Sequence, residues 1–148
     1  MKIAIGSDHA GFEQKEALKS YLEELAYDVL DCGPHTDDRV DYPDYAKAVA
    51  KSVADRESTF GVLVCGTGIG MCIAANKIQG VRAVNPVRKD FASLSRQHND
   101  ANILCLSGRF VNLEENKEIL NAFLQTEFEG GRHTGRVHKI MALEDKLD

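Results

Sequence analysis

The chain is 148 residues long, 43% apolar and 28% charged, a size and composition that suit one globular domain without disulfide or metal staples. Eighteen basic residues against 23 acidic ones leave a net charge of −5, which argues against the basic face of a general nucleic-acid binder. No apolar run reaches the ~18 residues of a membrane span, and the opening MKIAIGSDH is no signal peptide, so the expectation is a cytoplasmic protein without a membrane partner.

Short apolar runs alternate with amphipathic segments along the chain. KIAIG at 2–6 reads as a first strand, and Leu18, Tyr21, Leu22 and Leu25 then recur at helical spacing. DVLDC at 28–32 is a second strand, followed by the longest loop, a polar and acidic stretch from Gly33 to Tyr42. Pro43 and Asp44 suit the first turn of a helix whose apolar face is Tyr45, Ala46, Val49, Ala50 and Val53. Three more strands follow at GVLVC (61–65), VRAV (81–84) and NILCL (102–106). Phe91, Leu94 and Ser95 mark a helix before the last of these strands, and Ile119, Leu120, Phe123 and Leu124 mark one after it. A final helix is expected in the tail beyond Gly130. Strands that are apolar throughout are those buried on both faces of a parallel sheet. The βα alternation therefore predicts a single α/β domain over 1–148, a three-layer sandwich with five parallel strands and right-handed crossovers.

Ligands of such folds sit at the carboxyl ends of the strands. After the first strand stand Ser7, Asp8 and His9, where the plainer reading is a helix cap beside an exposed histidine. After the third comes Cys65-Gly66-Thr67-Gly68-Ile69-Gly70, running directly into a helical pattern. Such a turn points backbone N–H groups at an anion, and a cysteine at its head sits where thiolates are stabilised. Met71 stands where a dinucleotide fingerprint needs glycine and where a phosphatase loop needs arginine, and no Gly-Lys-Ser/Thr ending is present. The remaining cysteines, Cys32, Cys72 and Cys105, match no zinc or haem spacing and read as reduced thiols. His98 shares a predicted helix face with Phe91, Leu94 and Ser95, which suits a half-buried histidine as well as a catalytic one. Arg109 follows the fifth strand. Arg132 and Arg136 are one helical turn apart, either a solvated basic face or a clamp for a phosphate. His133 and His138 are five apart and do not share a helix face, so no metal set is expected. Together these residues suit proton transfer on a small phosphorylated molecule, without metal or cofactor.

GSDHAGF (6–12), DYPDYA (41–46), CGTGIGMCIAANK (65–77), SRQHNDANIL (95–104) and EGGRHTGRV (129–137) together resemble the type B ribose-5-phosphate isomerase family, which also includes galactose-6-phosphate isomerase subunits. The resemblance runs from about residue 2 to about residue 140, with its motifs at successive strand ends. It implies a Rossmann-like fold with a five-stranded parallel sheet and a C-terminal helix. It also implies a cofactor-free and metal-free aldose–ketose isomerase working through a cis-enediol. On that resemblance Cys65 is the base between C1 and C2, Thr67 and the amides of Gly66, Gly68, Ile69 and Gly70 hold the enediolate, and His98 opens the sugar ring. Asp8, His9, Tyr42, Asn99, Arg109, Arg132, His133 and Arg136 bind the sugar phosphate. The family implies a homodimer or homotetramer with sites shared between subunits, so His98 and the arginines are expected to serve a neighbour's Cys65. The segment Asn85–Asp90 departs from the family pattern, and Cys72 replaces its usual serine. A 6-phosphohexose, such as allose or galactose 6-phosphate, is the rival substrate. A module that binds a sugar phosphate without turning it over is the rival from another class.

Overall fold

The computed structural model describes residues 1–146. The strands are β1 (Lys2–Ser7), β2 (Asp28–Asp31), β3 (Phe60–Cys65), β4 (Ala83–Val84) and β5 (Ile103–Ser107). Between and after them lie α1 (Phe12–Glu24), α2 (Tyr42–Ala54), α3 (Ile69–Ala75), α4 (Lys89–Asn99), α5 (Leu113–Gln125) and α6 (Arg132–Ala142). All strand pairs are parallel, in the order β2-β1-β3-β5-β4, which is the expected α/β sandwich.

Period-two alternation divides each strand between two cores. Ile3, Ile5, Val62, Val64, Leu104 and Leu106 face one layer, against Leu18 and Leu22 of α1 and Ile119, Leu120 and Phe123 of α5. Ala4, Leu63, Cys65, Ile103 and Cys105 face the other, against Val49 and Ala50 of α2 and Met71 and Ala75 of α3. Each fully buried Leu, Ile or Phe contributes about 1.5–3 kcal/mol. Cys65 is thereby aimed into the α2–α3 layer, at the head of α3.

Three expectations change in detail. β4 is two residues long rather than four, because the Asn102 side chain accepts the Arg82 N–H (2.7 Å) where a ladder bond would run. Tyr42 is not the end of the loop but the first residue of α2. On α4 the anticipated core residues Phe91 and Leu94 are 50% and 38% exposed, and Ala92, Ser95 and Arg96 are buried instead. The cause is Arg96, whose guanidinium lies 4.7 Å from the Phe60 ring and 5.7 Å from the Phe123 ring while bonding the carbonyls of Ala101 and Thr126. That arginine turns the helix so that its small residues meet α5.

Candidate active site

The strand order reverses between β1 and β3, so a crevice opens at their carboxyl ends. Asp8 lies on its floor, buried, with its N–H on the Val64 carbonyl (3.2 Å) and its Oδ1 taking the Gly11 N–H (2.9 Å). Gly11 is obligatory there, since a Cβ would sit 2.3 Å from the Val64 oxygen. His9 is anchored from the side: its Nδ1 accepts the Val40 N–H at 3.3 Å. Tyr42 packs its ring so closely on Gly70 that a Cβ at that glycine would meet ring carbons at 2.8 Å. Asp8, His9, Arg39 and Tyr42 are among the residues lining a cleft of about 430 Å³ beside the crevice. Arg39 and Val40 carry no motif, and nothing in the sequence marked them.

The β3–α3 turn forms the other wall. Cys65 is buried, and the Gly68 N–H donates to its Sγ at 3.1 Å. Gly68 has φ +84°, a left-handed conformation that turns its amide back on the thiol. The carbonyls of Cys65 and Gly66 are tied to β5's exit by the N–H groups of Gly108 (2.8 Å) and Arg109 (3.1 Å) and by the Ser107 hydroxyl (2.7 Å). The Thr67 hydroxyl accepts the Ile69 N–H at 3.1 Å, and both side chains are exposed. Arg109 lies over Gly66, its Nη1 3.6 Å from where a Cβ would stand. Asp8, His9, Tyr42, Cys65, Gly66, Thr67, Gly68, Ile69, Gly70 and Arg109 are thus gathered at one edge of the sheet.

His98, Asn99, Arg132, His133 and Arg136 gather elsewhere. α4 and α5 run back against the strand direction, so their last turns reach the amino edge. His98 is half-buried in the last turn of α4, stacked on His133 of α6 with ring centroids 4.4 Å apart. The Glu129 N–H donates to the Gln97 carbonyl (3.1 Å) and brings the start of α6 to this point. Arg132 and Arg136 are both exposed beside the stack. Burial, then the electrostatic influence of His98 and Arg132, with Arg136 adding to it, hold the His133 imidazole below its ordinary pKa against the pull of Glu129.

His98, Glu129 and His133 each bring a potential metal-ligand atom within 4.8 Å of the others, a grouping that sequence spacing did not reveal. The Arg132 Nε on His133 Nε2 (3.5 Å) and the charge of Arg136 disfavour a cation there and favour an anion. Burial, aided by Asp31 and Glu57, pushes Cys32 up to about 11, and burial raises Cys105 well above the ordinary range. Cys72 is lowered by its hydrogen bond with Cys105, and its Sγ lies 3.4 Å from the Ala83 carbonyl.

Residues 3–140 match the family model described as Ribose/Galactose Isomerase. An Escherichia coli protein named ribose-5-phosphate isomerase B is 48% identical over 145 residues, covering 98% of this chain and 97% of that one. The structure of Clostridium thermocellum ribose-5-phosphate isomerase B superposes with a TM-score of 0.98 at 45% identity, over all of both chains. That of ribose-5-phosphate isomerase B from Mycoplasma genitalium, with bound ribulose 5-phosphate, gives 0.95 at 44% identity over 99% of this chain and 97% of that one. With nearly its whole length matched, the chain belongs to the ribose/galactose isomerase family.

Proposed function

We propose that the chain interconverts ribose 5-phosphate and ribulose 5-phosphate through a cis-enediolate, in sites built by two subunits of a homodimer or homotetramer. The observation that carries this is the buried Cys65 Sγ at the switch-point crevice, with the Gly68 amide aimed at it. In the open-chain aldose, the Cys65 thiolate takes the proton from C2. The electron pair moves into a C1–C2 double bond and the aldehyde oxygen becomes an enediolate oxygen. A proton passes from O2 to O1, the thiol returns the first proton to C1, and the ketose results. Donors fixed before the charge develops are the strongest means of stabilising such an oxyanion. Thr67 and the amides of the Gly66–Gly70 turn are the donors at hand.

What supports a shared site is that the topology holds Cys65 and His98 at opposite edges of one chain. The β3–β5 register pairs Gly61 with Ile103, so Cys65 stands four residues above that level, roughly 13 Å along the strands. His98 lies below it, in the turn that feeds β5. A second subunit therefore supplies His98, which moves a proton between the anomeric hydroxyl and the ring oxygen to open the sugar. Arg132 and Arg136, one turn apart and exposed, take its phosphate together with His133. Asn99 joins Asp8, His9, Tyr42 and Arg109 on the sugar.

The test is turnover of ribose 5-phosphate by the purified protein in EDTA, with allose 6-phosphate and galactose 6-phosphate run in parallel. Ribulose 5-phosphate formation is the expected result. Turnover of a hexose phosphate alone would keep the chemistry and refute the substrate, turning attention to Asn85, whose Nδ2 bonds the Cys105 carbonyl (2.8 Å) against Gly68. Binding of all three without product would replace the enzyme by a sugar-phosphate-binding module.

A further inference from the structure

α1 buries a charge that the proposed chemistry does not use. Lys15 is fully buried, and its Nζ lies 2.7 Å from the Pro34 carbonyl, 3.3 Å from both Asp31 oxygens and 2.5 Å from Glu16 Oε1. All three ammonium donors are committed, and the Phe12 ring lies 5.0 Å from the nitrogen. Asp31 is held below the ordinary carboxylate range: burial opposes this, but the Gly33 N–H and the charges of Lys19 and Lys15 outweigh it. A buried ion pair is often no more stabilising than an apolar replacement, so its value is to be sought in what it positions.

What it positions is the loop between β2 and α2. The loop leaves the sheet at Gly33, whose carbonyl takes the Ser7 N–H (3.1 Å) and whose N–H bonds Asp31 Oδ1 (2.9 Å). Pro34 then gives its carbonyl to Lys15. Residues 35–39 are exposed, and the loop is next tied to the body at Val40, whose N–H donates to His9 Nδ1 at 3.3 Å. Two residues on, Tyr42 lies against Gly70. The loop is thus pinned at Lys15 on one side of the crevice and meets both crevice walls on the other. An imidazole Nδ1 that accepts an N–H carries no proton, which places the ring proton on Nε2.

We propose that Lys15 is a positioning residue that acts through the 33–41 loop, holding His9 as its Nε2–H tautomer so that His9 meets the substrate as a hydrogen-bond donor and not as a base. This rests on the isomerase reading for what the donor meets, while the tautomer is independent of any turnover. Carboxylate-, carbonyl- or phosphate-type oxygens are the partners such a donor takes.

The experiment is a long-range proton–nitrogen NMR spectrum of the full chain labelled at histidine nitrogens, with His9 assigned by its loss in His9→Gln. The expected spectrum has a bare Nδ1 and a protonated Nε2. Lys15→Met keeps the stem and removes the donors. It should convert His9 to a tautomer mixture and raise KM about three- to tenfold, with kcat within about twofold, the loss of one well-placed hydrogen bond. If Lys15→Met does not fold, Val40→Pro deletes the N–H on Nδ1 alone and should change the spectrum in the same way. His9→Gln, whose amide nitrogen reaches the Nε2 position, should retain more affinity than His9→Asn. A protonated Nδ1 in the unaltered protein, or an unchanged tautomer and KM in folded Lys15→Met, would overturn the proposal. A protein with the expected tautomer and no pentose turnover would refute the isomerase reading and leave the tautomer standing.

Discussion

If each site draws on two chains, as proposed, mixing two inactive variants should restore activity. On the proposed mechanism Cys65→Ala removes the base and His98→Asn the ring-opening group, so each variant alone should be nearly inactive. The Gly61–Ile103 and Cys65–Ser107 pairs fix the levels of the two edges, and roughly 13 Å of strand separates Cys65 from the level below which His98 lies. Proton transfer needs contacts near 3 Å, so no side-chain motion within one chain closes that gap. In a mixed dimer of the two variants, one site combines both lesions and the other combines intact Cys65 with intact His98. Random exchange puts about half the dimers in the mixed form, so activity should return to about a quarter of the unaltered protein's value. The assay is ribulose 5-phosphate formation after the variants are unfolded and refolded together, with subunit exchange verified by native mass spectrometry. Verified exchange with no recovery would refute the shared site, and with it the assignment of His98 to a neighbour's Cys65.

Gly68→Ala should lower the thermal midpoint and kcat together. The residue sits at φ +84°, costing about 1–2 kcal/mol for a side chain, and its Cβ would stand 3.0 Å from the Leu106 carbonyl oxygen. An unchanged melt would show that the turn relaxes freely. Iodoacetamide should inactivate the enzyme by labelling Cys65, with substrate protecting; peptide mapping that finds Cys72 alone labelled would place the reactive thiol elsewhere. Cys32 should stay unlabelled near neutrality, since its thiol is pushed up to about 11. The His133 imidazole is held below its ordinary value of 6.5 in the folded chain, so protons bind the unfolded chain more readily. Its contribution to stability is therefore complete above pH 6.5 and is lost as pH falls through the lower folded value. His133→Asn should flatten that acid-side decline in denaturant titrations, and an identical slope in both proteins would remove His133 as its source.

Doubly buried strands are legible because burial on two faces leaves no polar position to blur the pattern, and KIAIG, GVLVC and NILCL all became central strands. The Cys65–Gly70 turn was equally readable, since its working parts are contiguous and glycine reports the backbone conformation directly. The face of α4 was not. Phe91 and Leu94 follow helical period, but Arg88 covers Phe91 from 4.3 Å and Arg96 takes the interior place beside Phe60 and Phe123. A buried arginine satisfied by carbonyls five and thirty positions away has no local signature. The same holds for Val40 on His9, for the His98–His133 stack, and for Lys15 beneath the loop. Each is a contact between segments whose spacing carries no information about their meeting.

The separation of the two residue groups follows from the architecture itself. In a parallel sheet every helix must return to the amino edge before the next strand begins. Groups on loops that leave strands arrive at the crevice, as Asp8, Cys65 and Arg109 do. Groups in the last turn of a helix arrive at the opposite edge, as His98 and Asn99 do. The segment after α5 inherits that edge, and α6 begins there with Arg132, His133 and Arg136. The proposed chemistry needs both sets, and this topology holds them at opposite edges of one chain. On the proposed function it is completed when the amino-edge cluster of one copy covers the crevice of another. That arrangement would give the two exposed arginines beside the stacked histidine pair a role. Under that reading the crevice wall must hold its shape before a second subunit arrives, and the positioning role proposed for Lys15, a buried ammonium with three fixed partners inside α1, would serve this.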